Sequence, residues 1–322
     1  MKDLASIKRY SKNSSTTLFL ACLLSLFFDV SVANSAGNYH YADGSEGFFS
    51  GFTPEPGFYL VNYNYWYTAS TFKDDKGKDM AGLDFDVNVW AVAPRFLYFS
   101  NKKILGGQYG LYVAIPFYHA EIEAEQYGVQ FMNDSHSGVG DIFFSPLILG
   151  WHLRNGLHLA FSFDIYAPTG DYESDRPATT LVSKNYWSFQ PNLAFTWLTG
   201  SGIEVSGKLL FEFHTTNDDY LTPFSNTVEY SPGTSLHYDF AASFPLSTNF
   251  RAGLSGFYFT QVEDDKINGR KLENMKAQGL AMGPAFEVTS GNWIISFKQQ
   301  TELMAHNGPK GFVCWLNVYY NF

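Results

Sequence analysis

Ser235, His237 and Asp239 are a set whose types match a nucleophile, a base and an orienting acid, the parts of an acyl-transfer site. They stand at i, i+2 and i+4 of an alternating stretch, so they share one face of a strand. Neighbours on such a face are about 7 Å apart, too far for a direct nucleophile–base hydrogen bond. No G-x-S-x-G turn exists to expose a serine at a sharp elbow. The set reads as strand polarity, and no enzyme is expected. Asp74, Asp75 and Asp79 flank Gly77 like a loose calcium loop, but the EF-hand spacing is absent. Stretches bearing Glu121, Glu123, Glu125, Asp218, Asp219, Asp264 and Asp265 read first as solvated surface. No metal site and no cofactor are expected.

The remaining candidates are polar residues at every second position of long apolar stretches. Stretch 57–72 sets Tyr59, Val61, Tyr63, Tyr65 and Tyr67 against Asn62, Asn64 and Trp66. Stretch 82–99 sets Leu83, Phe85, Val87, Val89, Ala91 and Ala93 against Asp84, Asp86 and Asn88. Further strands are read over 107–120, 138–153, 157–166 (with His158 and Asp164 opposite its apolar face), 186–198 (Gln190, Asn192) and 203–213 (Glu204, Lys208, Glu212). They continue over 235–244 (His237, Asp239), 250–262 (Arg251), 275–288, 293–304 (Lys298, Gln300, Glu302) and 311–322. Period-2 alternation over such lengths argues strands with one apolar face. The last stretch ends on Phe322, with Phe312, Cys314, Leu316, Val318 and Tyr320 on the same face.

These strands run roughly ten to sixteen residues, against five or six in a soluble sandwich, and a tilted membrane strand needs roughly 9–11. Aromatic residues make up 18% of the chain and charged residues only 16%, yet mean hydropathy is −0.15. A helical membrane protein would be strongly apolar, whereas the two faces of a barrel wall cancel. The net charge of −10 argues against nucleic acid. Lys2 to Lys12, then an apolar run over 18–28 and the small residues to Ala36, read as a secretory signal peptide cleaved after Ala33 or Ala36. The apolar run continues past Cys22, which disfavours a lipoprotein reading and leaves Cys314 as the one mature cysteine.

Connections alternate in length. Short ones fall at 100–106, 154–156, 199–202, 245–249 and 289–292; longer ones at 73–81, 121–137, 168–185, 214–234, 263–274 and 305–310. Outer-membrane barrels pair short periplasmic turns with long extracellular loops in this way. The expectation is an all-β transmembrane antiparallel barrel of about 12 strands over 57–322. A signal peptide occupies 1–36, and 37–56 forms a periplasmic segment or a lumen plug. The place is the outer membrane of a Gram-negative bacterium, among lipid and lipopolysaccharide.

Three motifs carry a family resemblance: Pro54-Glu-Pro-Gly-Phe-Tyr-Leu60 with Asn62-Tyr63-Asn64-Tyr65; Gly138-Val-Gly-Asp141 leading to Pro146 and Trp151-His152; and Ala167-Pro-Thr-Gly-Asp-Tyr172. In this order they resemble the outer-membrane family of the meta-pathway of phenol degradation, which includes sphingosine-inducible porin-like proteins. The resemblance spans nearly the whole mature chain. It implies a porin-like barrel for passive uptake of small hydrophobic or aromatic compounds, and it carries over no binding residue. The closing strand resembles that of outer-membrane barrels, whose Leu316, Val318, Tyr320 and Phe322 pattern would be read by the barrel-assembly machinery. Physically, the motif glycines and prolines read as turn devices.

If polar residues face inward, the lumen wall carries Asn62, Asn64, Trp66, Asp84, Asp86, Asn88, His158, Asp164, Gln190, Asn192, Glu204, Lys208, Glu212, His237, Asp239, Arg251, Lys298, Gln300 and Glu302. Mixed charge pairs across a small lumen rather than lining a general ion pore. A narrow conduit for small uncharged or amphiphilic solutes follows. The alternative is a structural or surface-interaction barrel with a closed lumen.

Overall fold

Long alternating stretches rich in aromatic and β-branched residues favour extended chain, and strands dominate the computed structural model. The structure describes residues 39–174, 182–221 and 227–322; the expected signal segment 1–36 lies outside them. The strands are β1 (Gly57–Lys73), β2 (Leu83–Ile104), β3 (Gly107–Ala114), β4 (Phe117–Gln126), β5 (Val129–Val139), β6 (Phe143–His152), β7 (Leu157–Tyr166), β8 (Ser188–Leu198) and β9 (Glu204–His214). They continue as β10 (Asn217–Leu221), β11 (Thr227–Ser231), β12 (Ser235–Ser247), β13 (Phe250–Gln261), β14 (Lys266–Ile267), β15 (Arg270–Lys271), β16 (Gln278–Ser290), β17 (Trp293–His306) and β18 (Gly308–Asn321).

Fourteen of them form one antiparallel sheet, and β1 closes it by pairing with both β18 and β2. Trp66 sits opposite Cys314 on one side and Trp90 on the other. Two staves of the wall are broken. β3 and β4 are one stave interrupted at Pro116, which offers no N–H to a ladder; the 22-residue β2 pairs with both halves. β5 and β6 are a second, interrupted at residues 140–142. The barrel therefore has 12 staves.

The motifs at 138–141 and 167–172 interlock at that second break. Asp141 accepts hydrogen bonds from Thr169 N (3.0 Å), Gly170 N (3.0 Å), Ser183 Oγ (2.7 Å) and Lys184 N (2.8 Å). Asp171 N donates to Val139 O, and Val139 N donates back to the Asp171 carboxylate, both at 2.7 Å. A Cβ on Gly170 would lie 2.6 Å from the backbone of Gly140, so only glycine permits the approach.

Two expected loops are not loops. Residues 121–137 belong to β4 and β5, a hairpin that extends the wall, with Ile122, Ala124 and Met132 packed against Phe72, Phe85 and Val87. Glu121, Glu123 and Glu125 made that stretch look like an acidic loop, but they are only its outward half. Residues 305–310 contract to a tight turn at Asn307, whose φ is 48°. A small sheet of β10, β11, β14 and β15 caps the long-loop end.

Candidate functional site: a lumen occupied by the N-terminal segment

Traced back from residue 56 at the short-turn end, residues 39–56 run through the barrel to the long-loop end. Pro54 and Pro56 keep the chain extended at the rim, where Gln108 Nε2 donates to Pro54 O (3.1 Å). Phe52 packs against His152 and His158 beside a short turn. Further in, Gly51 N donates to Thr196 Oγ1 (3.0 Å) and Phe49 N to Glu204 Oε1 (3.0 Å). A Cβ on Gly51 would lie 2.2 Å from the Phe195 carbonyl carbon, so the segment lies flush on the wall.

The middle of the segment is held by charge. Lys298 Nζ donates to the carbonyls of Gly44 (2.6 Å), Ser45 (2.7 Å) and Glu46 (2.8 Å). Asp239 accepts from Tyr41 Oη (2.7 Å), Gly44 N (2.9 Å) and Glu46 N (3.0 Å). The Glu46 carboxylate meets Arg95 (3.4 Å) and Lys208 (3.5 Å). At the far end, Glu212 accepts from His40 N (2.7 Å) and Tyr41 N (3.3 Å). A segment without regular secondary structure must satisfy its backbone groups one by one inside a wall, and these side chains do so.

The candidate wall residues divide. Asp164, Gln190, Asn192, Glu204, Lys208, Glu212, His237, Asp239, Lys298 and Gln300 are buried in the lumen. Arg251 stacks on Phe49 of the segment, His158 meets Phe52, and Glu302 accepts from Tyr67 Oη. Asn62, Asn64, Trp66, Asp84, Asp86 and Asn88 correct the expectation, because they point outward. Trp66 stacks on exposed Trp90, and Asn64 donates to Leu316 O (2.7 Å). Asp84 and Asp86 are exposed opposite Glu125 and Glu123. Period 2 defines two faces without saying which is inside, and here the tyrosine face is inside.

That inward face makes a cavity of about 280 Å³ between the segment and the wall. Tyr63, Tyr65 and Tyr67 line it with Val87, Val89, Ala91 and Ala93, facing Phe143, Phe257 and Trp315, and residues 39–46 form its floor. Arg95 lies between the rings of Tyr63 and Tyr112, at 4.8 and 5.0 Å.

Ser235 and His237 also need correction. Ser235 Oγ lies 2.7 Å from His237 Nε2, because the imidazole reaches across the pleat spacing. His237 Nδ1 lies 2.7 Å from Asp43 Oδ1 of the segment, not from Asp239. Neither Ser235 nor His237 lines the cavity, and the rings of Tyr39 and Tyr41 cover His237. Ser235 and His237 are both buried, and the chain of hydrogen bonds from Ser235 through His237 to Asp43 ties the segment to β12. In the loop read as a loose calcium site, Asp74 Oδ1 is taken up by Lys76 N and Lys78 N, and Asp79 pairs with Lys73.

The profile of the family described as "Putative MetA-pathway of phenol degradation" matches residues 69–318. The chain belongs to this family. Among solved structures, it is similar to an outer membrane channel from Pseudomonas putida, at 16% identity and a TM-score of 0.68, covering 88% of this chain and 100% of that one. It is also similar to the transport unit of the autotransporter AIDA-I from Escherichia coli, at 10% identity and a TM-score of 0.50, covering 92% and 98%. At these identities the likeness is one of fold: a closed barrel of the outer-membrane kind. No curated protein matches the chain by sequence.

Residue types and spacing alone did not single out His40, Asp43, Glu46, Arg95 or His214. Two had a signal. Arg95 continues the Val87, Val89, Ala91, Ala93 register, a cation on an apolar face, and His214 follows Glu212 by two. The segment residues had none, since nothing local says what a non-periodic stretch touches.

Proposed function

We propose that this family member is a channel of the Gram-negative outer membrane for the passive uptake of small hydrophobic or aromatic compounds. The observation that carries the reading is the aromatic cavity at the long-loop end, which that topology turns towards the cell exterior. Its size, about 280 Å³, is near the lower end for small-molecule pockets. Its walls match an apolar ring, while Arg95 Nε and Tyr63 Oη are buried there without a partner and offer hydrogen bonds to a ring substituent. The similar channel from Pseudomonas putida supports the reading. Exposed Leu193, Phe297 and Leu316 would face lipid, lipopolysaccharide would surround the outer rim, and Leu316, Val318, Tyr320 and Phe322 would present the closing strand to the assembly machinery.

Solute uptake into liposomes carrying the mature protein tests this. Phenol-sized aromatics should enter faster than sugars of equal mass. Absence of uptake for every solute, with no single-channel conductance, would refute it. One observation favours a second reading, a surface-interaction barrel with a closed lumen: the ion pairs holding residues 39–56 across the barrel. Replacing Glu121, Glu123 and Glu125 by Gln should then abolish partner binding at the rim and leave permeability unaltered.

A further inference from the structure

His40 of the N-terminal segment meets Glu212 and His214 of β9 at the floor of the cavity. One donor atom from each lies within 4.8 Å of the others. The Nδ1 atoms of His40 and His214 are each 3.8 Å from Glu212 Oε1. All three side chains are almost fully buried, at 6%, 0% and 1% exposure. Among the described residues, every ionisable group within ion-pair distance of Glu212 is an imidazole: His40, His214 and His237. Lys184 acts on this carboxylate only from beyond ion-pair distance, and burying such a charge without a cation in direct contact is costly.

The surroundings favour a metal ion over a simple ion pair. His40 Nε2 lies 2.9 Å from Asp141 Oδ2, the carboxylate–histidine arrangement that orients metal-bound imidazoles. With its proton held there, His40 Nδ1 presents a lone pair to the cluster. His214 Nε2 is buried without a partner, so no hydrogen bond opposes placing the proton there and freeing Nδ1 as a ligand. Ser188 Oγ lies between the two rings, 2.7 Å from His40 Nδ1 and 2.8 Å from His214 Nδ1, as a neutral oxygen at the same centre. Tetrahedral bonds of about 2.0–2.1 Å put donors about 3.4 Å apart, so each imidazole must close on Glu212 from 3.8 Å by about 0.4 Å, and the two imidazoles, within 4.8 Å of each other, by up to about 1.4 Å. Two imidazoles and one carboxylate select zinc and its neighbours over calcium or magnesium.

We infer that His40, Glu212 and His214 form a Zn²⁺ site that clasps the N-terminal segment to β9. His40 lines the cavity, so an ion can arrive through it. The clasp joins two parts of the chain otherwise held by hydrogen bonds and ion pairs, and its occupancy sets how readily residues 39–43 leave the wall.

The test uses mature protein in detergent, stripped with EDTA, titrated with ZnCl₂ by calorimetry and assayed for zinc retained after gel filtration. One Zn²⁺ per chain should bind. His40→Ala and His214→Gln should each weaken binding at least about tenfold, while the double variant His152→Ala/His158→Ala, which removes the other close histidine pair, should bind as the wild type does. Heat-modifiable gel mobility selects preparations in which the barrel is folded. Zinc should also slow amide exchange of residues 39–43 in the wild type and leave it unaltered in folded His214→Gln. The proposal is overturned by absence of saturable binding, by equal binding in folded His40→Ala and His214→Gln, or by binding that leaves exchange of 39–43 unaltered.

Discussion

The lumen has two unlike walls. On one, β7, β8, β9, β12 and β17 present Asp164, Gln190, Asn192, Glu204, Lys208, Glu212, His237, Asp239 and Lys298, and the N-terminal segment lies against them. On the other, β1, β2 and β18 present Tyr63, Tyr65, Tyr67, Val87, Val89 and Trp315, and a cavity remains. Both walls face inward, so being inside does not set their chemistry. What differs is the partner. A segment without regular structure brings bare N–H and C=O groups that need polar side chains. Where no backbone arrives, apolar side chains cost nothing and leave a surface for an apolar solute.

The strongest way to break this contrast is to remove the partner. Deletion of residues 39–50 from the mature chain leaves the polar wall facing water. Solute flux and conductance should rise at least about tenfold, and the preference for aromatic over sugar-like solutes should fall, because a hydrated path then bypasses the cavity. Unaltered flux would mean that the segment does not obstruct passage.

A gentler break removes one grip. Lys298 holds three consecutive carbonyls of the segment. Lys298→Met keeps most of the side-chain volume and loses all three bonds, a local cost of about 3 kcal/mol. The amides of Gly44 and Glu46, bonded to Asp239, should then exchange roughly a hundredfold faster. Exchange unaltered at both amides would show that Asp239 suffices to hold the turn.

The same contrast explains what could be read from residues alone. The barrel, its strand number and its closing strand were legible because period-2 alternation and turn spacing are local signals. The inward side of β7, β8, β9, β12 and β17 follows from the rule that polar means lumen and apolar means lipid. That rule inverts on β1 and β2. Tyr63, Tyr65 and Tyr67 line the cavity, and Asp84 and Asp86 lie on an extension of the wall with Glu123 and Glu125 opposite, where the outer surface meets water. The partners of residues 39–56 were illegible for a further reason: Asp43–His237 and Lys298–Gly44 contacts join positions far apart in the chain, and only the closed ring brings them together.

On the apolar wall, Ala91→Phe sharpens the comparison from the other side. The ring points into the cavity and takes up part of its space. Uptake of aromatic solutes should fall severalfold, while stability changes by no more than about 1 kcal/mol, because the ring enters free space. Exchange at Gly44 and Glu46 should stay at the wild-type rate. A parallel rise there would show that the two walls are coupled through the segment.

The smallest effect belongs to a region outside both walls. Asp265, in the long-loop end beside β11, is buried and accepts from Tyr230 Oη (2.8 Å) and Gly233 N (2.7 Å). Burial raises its pKa from 3.8 to about 6, although those bonds favour the carboxylate. Between these two values the closed loop binds a proton that the opened loop does not. Loop stability is therefore greatest on the acid side, falls as pH rises through this window, and levels off above about 6. Near-ultraviolet circular dichroism of the stacked Tyr220–Tyr230 pair, whose centroids are 4.5 Å apart, should follow that fall during mild denaturation. Asp265→Asn keeps an acceptor without a titrating group and should flatten the profile, while solute flux and Gly44 exchange stay as in the wild type. A profile of equal slope in Asp265→Asn would assign the titration to another group, and a pH-dependent flux lost with it would tie the cap to the lumen and end the separation of loop from walls.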